Sequence, residues 1–204
     1  MATNWKRYIG GAAVQAAITL SLATQAFFAP RILGSVDYGT VIAALSLPIL
    51  AQASIETVLY ALTIKWTSDR QLQVLKRLWL DALWAAPVAG LLAAILSTSS
   101  LAAGDSSRLV FIVAAPFLLL LWIATTTLMG AAYALHRHVA LARSYFISAL
   151  VLPAFVYLFR HLGPPAFLYA LIFDKLAQIA SLAVDGETRT FSREVFRATV
   201  ARRP

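Results

Sequence analysis

The chain has 204 residues, of which 60% are hydrophobic and 13% charged, and its mean hydropathy is +0.76. This composition excludes an ordinary soluble domain and indicates an integral membrane protein. Cysteine is absent, which excludes disulfides, thiolate metal sites and cysteine nucleophiles. The net charge of +8 comes from basic loops, without a basic stripe interleaved with base-stacking aromatics, so we expect membrane lipids and no nucleic acid as partners.

Apolar segments of about 20 residues, the length that crosses a hydrocarbon core of ~30 Å, recur along the chain. The first is too long for a signal-peptide core and is interpreted as a retained helix. The sequence predicts an all-α integral membrane bundle over residues 1–184 and a basic cytoplasmic tail over residues 185–204. Prolines at positions 48, 87, 116 and 153 fall inside the predicted helices and permit kinks. The six predicted spans cover residues 8–29, 40–64, 78–96, 109–133, 139–159 and 165–184.

The segment between the first two spans, APRILGSVDYGT at residues 29–40, predicts a polar hinge. Pro30, Gly34 and Gly39 interrupt helical periodicity, and Ser35 and Asp37 suit a turn. A similar segment, RHLGPPAFLY, precedes the sixth span. The match indicates an internal repeat, although any helix that ends in glycine before an interfacial aromatic gives the same pattern. The matched pairs are Arg31 with Arg160, Gly34 with Gly163 and Tyr38 with Phe167.

Lysine and arginine are unevenly divided between the two sets of connecting pieces. Thirteen lie in the termini, in the second and fourth connections and, for Arg143, near the start of the fifth span, whereas Arg31, Arg108 and Arg160 alone occupy the alternate set. The positive-inside rule therefore predicts that both termini are cytoplasmic. In the tail, Phe191, Val195 and Phe196 share one side, which fits either a helix on the inner membrane surface or a solvated tail.

Polar side chains inside the spans are the main candidates for function, because burying a charge in hydrocarbon costs at least ~2.5–3.5 kcal/mol. Gln52 and Glu56 form a polar stripe on the second helix, and Asp174, Gln178 and Ser181 form another on the sixth. Two such stripes predict a hydrophilic cavity. The alternative is that these groups join helices by hydrogen bonds.

Glu56 and Lys175 lie at matching depths, ~12 Å and ~14 Å from the inner ends of their helices. An ion pair between them is a purely structural alternative. No residue set predicts catalysis: His136 and His138 point to different sides of a helix and have no neighbouring carboxylate. We therefore expect no enzymatic activity, no metal and no cofactor.

Two stretches carry a family resemblance. APRILGSVDYGTVIAALSLPILAQASIETVLYAL resembles the first outer turn and second helix of Wzx-type polysaccharide flippases of the multidrug/oligosaccharidyl-lipid/polysaccharide superfamily. LMGAAYALHRHVALARSYFISALVLPAFVYLF is similar to their fourth-to-fifth helix turn. The resemblance implies one lobe of a flippase in the bacterial inner membrane. Such a protein moves a lipid-linked oligosaccharide, typically on undecaprenyl pyrophosphate, to the periplasmic leaflet.

The resemblance also implies a cationic central cavity between two six-helix lobes, with Arg31 near its outer end. This chain departs from the family because it has six predicted helices where members have about twelve to fourteen, and because Glu56 occupies a position where a small residue is common. We therefore expect a half-length flippase or a fragment, working as a homodimer or with a second lobe. The alternative is a non-transporting scaffold subunit of a glycan or lipid biosynthesis complex. The candidate substrate-binding residues are Arg31, Gln52, Glu56, Asp174, Lys175 and Gln178.

Overall fold

The computed structural model describes residues 2–69, 71–100, 106–188, 190 and 193, and the regular secondary structure of these residues is entirely helical. Each of the six long helices in this part of the chain contains a segment long and apolar enough to cross a membrane. The predicted all-α architecture of six apolar helices is thereby confirmed. The helices are α1 (Ala2–Leu33), α2 (Ser35–Ser68), α3 (Leu72–Ser97), α4 (Ser106–Ala134), α5 (His138–Phe159) and α6 (Pro165–Val184).

The helices pack in two groups of three. One group consists of α1, α5 and α6, the other of α2, α3 and α4, and contacts between α4 and α6 join them. Little direct contact exists between α1 and α2, although they follow each other in the chain. The interface between the groups holds the largest buried cluster, in which α2, α4, α5 and α6 meet. Its fully buried members include Leu45, Phe111, Leu118, Leu119, Leu152 and Leu168.

The connections alternate between two ends of the bundle. At one end, a Cβ on Gly163 would lie 3.7 Å from an Asp37 carboxylate oxygen, so the α1–α2 and α5–α6 turns are neighbours; we call this the Gly34 end. At the other end, Arg137 Nη2 lies 2.7 Å from Asp185 Oδ1, which joins the α4–α5 turn to the end of α6; we call this the Arg137 end. Because Gly10 of α1 packs on His138 there, α1 begins at the end where α6 finishes.

The break between α1 and α2 lies within the predicted polar hinge over residues 29–40, but it is confined to Gly34, so the predicted interruptions at Pro30 and Gly39 are wrong. Helix α1 continues through Pro30 to Leu33, and the Gly34 N–H donates to the Pro30 carbonyl at 2.9 Å. Gly34 has φ +84° and ψ 160°, a conformation that is essentially restricted to glycine. Asp37 lies in the first turn of α2, where the helix dipole favours its negative charge.

The four prolines predicted to lie inside helices, at positions 48, 87, 116 and 153, do so in α2, α3, α4 and α5. Helices approach each other closely at glycine residues, and hydroxyl side chains join helices by hydrogen bonds. A Cβ on Gly90 would lie 2.9 Å from Pro116 Cα, so α3 and α4 are in direct backbone contact at this point. The indole N–H of Trp79 also joins these helices by donating to Thr127 Oγ1 at 2.7 Å. The predicted amphipathic stretch of the tail, with Phe191, lies outside the described residues.

Candidate functional site

A cleft of about 490 Å³ lies between α1, α2 and α6, with further walls from α4 and α5. Its lining combines polar side chains with apolar ones such as Ile18, Leu22 and Ile42. The polar stripe of α2 and part of the polar stripe of α6 face this one space. The hydroxyl, amide and charged lining residues are Ser21, Gln25, Gln52, Glu56, Ser148, Lys175 and Gln178, and the aromatic ones are Tyr38, Trp122, Tyr145 and Phe167.

The α2 wall of the cleft presents an amide beside a carboxylate. Gln52 and Glu56 are one helical turn apart, and the Gln52 side-chain N–H donates to the Glu56 carboxylate. Both side chains are half-buried. The amide partly satisfies the carboxylate, and the hydrogen bond that Glu56 accepts among the described residues therefore comes from its own helix.

The α6 wall presents one cation whose partners lie on the same helix. Lys175 Nζ donates to Gln178 Oε1 at 2.9 Å and lies 3.2 Å from Asp174 Oδ2. The Lys175 side chain is 14% exposed, and both it and Gln178 line the cleft. Among the described residues, the hydrogen-bond and ion-pair partners that hold the ammonium group at the cleft surface therefore both belong to α6.

Asp174 lies behind this wall rather than on it. Its side chain has no exposed surface, and neither carboxylate oxygen accepts a hydrogen bond from the described residues. Among the described residues, the cation within 4.0 Å of the Asp174 carboxylate is Lys175. A buried carboxylate with so few partners depends strongly on that one cation.

Glu56 and Lys175 line the same cleft, but the ion pair suggested by their matching depths is not formed. Among the described ion pairs, Lys175 joins Asp174 and none joins Glu56. The rise per residue determines how deep a side chain lies along its helix, but it does not determine its partner. Asp174, the residue before Lys175 on α6, is close enough to pair with it. The structural-pair alternative for Glu56 and Lys175 is therefore wrong in this arrangement.

Arg31 lies outside the cleft. Its side chain is exposed near the end of α1, and its guanidinium carbon lies 3.5 Å from the centre of the Phe27 ring. This cation–π contact holds the charge on the bundle surface. Of the six candidate residues, the structure brings four to the cleft wall (Gln52, Glu56, Lys175, Gln178), buries Asp174 directly behind it and leaves Arg31 at the Gly34 end.

Helices α1 and α5 contribute polar groups that the sequence analysis did not assign to the site. Ser21 Oγ donates to Ser148 Oγ at 3.0 Å, and Gln25 Nε2 lies 3.4 Å from Ser21 Oγ. The spacing of Ser21 and Gln25, four residues apart on one helix, is a signal that could have found the α1 wall. Ser148 gives the same signal, because Ser144 lies four residues before it on α5.

No family model, curated protein or solved structure matches the chain. The fold and the cleft therefore define a class only: an all-helical protein whose six described apolar helices are compatible with a membrane bundle.

Proposed function

We propose that this chain is a lobe of a membrane transporter that moves a lipid with a phosphate-bearing saccharide headgroup, a half-length polysaccharide flippase. The observation that carries the proposal is the cleft of about 490 Å³, which lies within the ~300–1,000 Å³ range of small-molecule sites. Its apolar rim suits an isoprenoid or acyl chain, and its amides and hydroxyls suit sugar hydroxyls.

Lys175 supplies the attraction for the phosphate. It is the cation among the residues that line the cleft, and its ammonium group, which has three donors, donates to Gln178 and pairs with Asp174. Trp122 of α4 and Tyr145 of α5 add aromatic surface to the lining of the same cleft. Glu56 opposes an anion, so the headgroup phosphate binds toward Lys175 and the sugar toward the α2 wall.

The same proposal places the chain in the bacterial inner membrane with both termini cytoplasmic. Its support is the concentration of lysine and arginine in the pieces at the Arg137 end. The Gly34 end, which holds Arg31, then faces the periplasm. A second lobe, either another copy of this chain or a separate partner, covers the opening between α1 and α2.

Reconstitution tests the function directly. The full chain is placed in liposomes with a fluorescent farnesyl-pyrophosphoryl-N-acetylglucosamine, and the labelled lipid that reaches the opposite leaflet is measured by quenching from outside. Binding is measured separately in nanodiscs. We expect Lys175→Gln to weaken binding about 10- to 100-fold, the effect of one charge-assisted hydrogen bond of ~1.5–3 kcal/mol.

Arg31→Gln is the matched control, because it removes the same charge outside the cleft. It should weaken binding much less than Lys175→Gln. Equal losses from both substitutions would refute a headgroup site in the cleft. Binding without movement between leaflets would instead favour the scaffold subunit, which recognises the lipid but does not transport it.

A further inference from the structure

The pairing of Lys175 suggests how ligand binding affects the protonation of the bundle interior. Lys175 serves two roles: it is the cation on the cleft wall, and it is the described cation within 4.0 Å of the fully buried Asp174 carboxylate. A phosphate that draws Lys175 toward the cleft takes away the positive charge that compensates the negative charge of the Asp174 carboxylate. The two roles compete for one ammonium group.

We propose that a phosphate-bearing ligand and a proton bind together: Lys175 leaves Asp174 for the phosphate, and Asp174 takes up one proton. The inference rests on the proposed function, since it requires an anion in the cleft. The proton comes from the bulk solution and its buffer, and it forms an O–H bond on the Asp174 carboxylate. Lys175 remains an ammonium ion throughout, so each bound ligand molecule is accompanied by one added proton.

The physical reason is the cost of an isolated buried charge. An ion that loses its partner in a protein interior is penalised by several kcal/mol, and a carboxyl group avoids this penalty by becoming neutral. Asp174 has no hydrogen bond from the described residues to replace the Lys175 contact. The neutral acid can also donate a hydrogen bond, which a carboxylate cannot.

Other titratable groups near α6 are alternatives to Asp174 as the acceptor of the proton. Helix α5 contributes Tyr145 to the cleft, and Arg143, whose guanidinium bonds to Ser181. A phenol and a guanidinium already carry their protons at neutral pH. Helix α2 contributes Glu56, which is the real competitor because it is an acidic group on the cleft wall. Tyr38 of α2 also lines the cleft, and Tyr60 lies one turn beyond Glu56 on the same helix. Further titratable or charged groups of the described residues lie toward the two ends of the bundle: Asp37, Lys65, Arg108, Tyr133, Arg137, His138, Tyr157, Arg160, His161, Tyr169 and Asp185.

Coupling of one proton to one bound ligand predicts how strongly the dissociation constant depends on pH. If Asp174 is ionised before binding and neutral afterwards, the dissociation constant of the ligand falls about tenfold for each unit by which the pH is lowered. Linkage is reciprocal, so saturating ligand must also produce a measurable proton uptake approaching one per chain.

The experiment uses the full chain in nanodiscs and farnesyl-pyrophosphoryl-N-acetylglucosamine, whose pyrophosphate diester does not titrate near neutral pH. Binding is measured by calorimetry across a pH series, and proton uptake is measured in weakly buffered solution with an indicator dye. A parallel titration with inorganic pyrophosphate, corrected for its own protonation, determines whether a free anion or only a lipid headgroup is recognised. Uptake with either probe supports the linkage.

Asp174→Asn and Glu56→Gln are the matched pair, since each neutralises one carboxylate with little change in shape. We expect Asp174→Asn to bind without proton uptake and to lose the pH slope, while Glu56→Gln keeps both. Loss of uptake in Glu56→Gln alone would overturn the assignment to Asp174. Binding by the unsubstituted chain without uptake would overturn the inference and leave the proposed function standing, whereas no binding of either probe would overturn both.

Discussion

The rings of Tyr38 and Phe167 meet edge to face, with centroids 5.9 Å apart and planes at 88°. Each aromatic lies four residues after a glycine with positive φ, at Gly34 and Gly163. The two segments that resemble each other in sequence thus meet at one end of the bundle. Because Tyr38 belongs to α2 and Phe167 to α6, their contact joins the two helix groups at the Gly34 end of the cleft.

Gly34→Ala tests whether this turn depends on backbone conformation. An added Cβ would meet no atom within 4 Å, so the expected cost comes only from the unfavourable φ and ψ and amounts to about 1–3 kcal/mol of unfolding free energy. Gly39→Ala is the control: it also has open space, but it lies inside α2. It should be neutral or stabilising by up to ~1 kcal/mol. Thermal unfolding in mild detergent measures both, and equal midpoints would contradict the argument.

Asp185 and Arg137 hold the end of α6 against the α4–α5 turn. Hydrogen bonding to Arg137 is the main cause that lowers the pKa of Asp185, and the same bond raises the pKa of Arg137. The Asp185 carboxylate also accepts from the Thr188 N–H at 3.2 Å. Glu187 reaches Arg137 only at 3.7 Å and is 62% exposed. Asp185→Asn should therefore lower the unfolding temperature at neutral pH far more than Glu187→Gln.

The pH dependence of this contact has a definite sign. Because the folded pKa of Asp185 is depressed, its contribution to stability is present above the unfolded value of ~3.9 and is lost as the pH falls through the lower folded value. Unfolding temperatures measured in steps from neutral pH to below pH ~4 should fall less steeply for Asp185→Asn than for the unsubstituted chain. Parallel curves would show that the contact contributes nothing to acid sensitivity.

Hydropathy predicted the existence and order of the helices but placed the boundaries of α1 and α2 too far apart. The segments 8–29 and 40–64 end where apolar residues end, whereas α1 extends to Leu33 and α2 begins at Ser35. A helix backbone continues through polar residues as long as its hydrogen bonds are made. Pro30 lacks an N–H but still accepts from Gly34, so it does not end the helix.

Only part of the candidate site was predicted from the sequence. Periodicity identifies which residues share a face of one helix, so the stripes containing Gln52 and Lys175 were recognised. It does not determine how helices turn toward each other. The partner of Lys175, the position of Asp174 behind the wall and the contribution of Ser148 all depend on that packing.

Single-cysteine labelling tests the orientation, and the absence of native cysteines makes the background clean. Ser68 and Ser99 are both exposed, at the Arg137 end and the Gly34 end respectively. With the Arg137 end in the cytoplasm, a membrane-impermeant maleimide added to intact spheroplasts should label Ser99→Cys and should reach Ser68→Cys only after permeabilisation. Labelling of both from the same side would refute a spanning bundle, and the reverse pattern would refute cytoplasmic termini.

Disulfide cross-linking tests whether the second lobe is another copy of this chain. The α6 residues Asp174 and Gln178 are buried within one chain, so they need no second lobe to hide them from lipid. The opening between α1 and α2 is different, because its rim includes Leu22 at 60% and Ile42 at 40% exposure.

A homodimer with its two-fold axis along the membrane normal places the two openings face to face, with identical residues near the axis. Leu22→Cys and Ile42→Cys chains should then form disulfide-linked dimers in native membranes under mild oxidation. Val113→Cys is the control, because Val113 lies on α4 at the same depth as Ile42, about 10 Å from the Gly34 end, and is 68% exposed. Cross-linking at Val113 but at neither rim position would refute this dimer, since it would place the contact on α4, away from the cleft. Absence of cross-linking at all three positions, with the chain still moving lipid, would require a different protein as the second lobe or none.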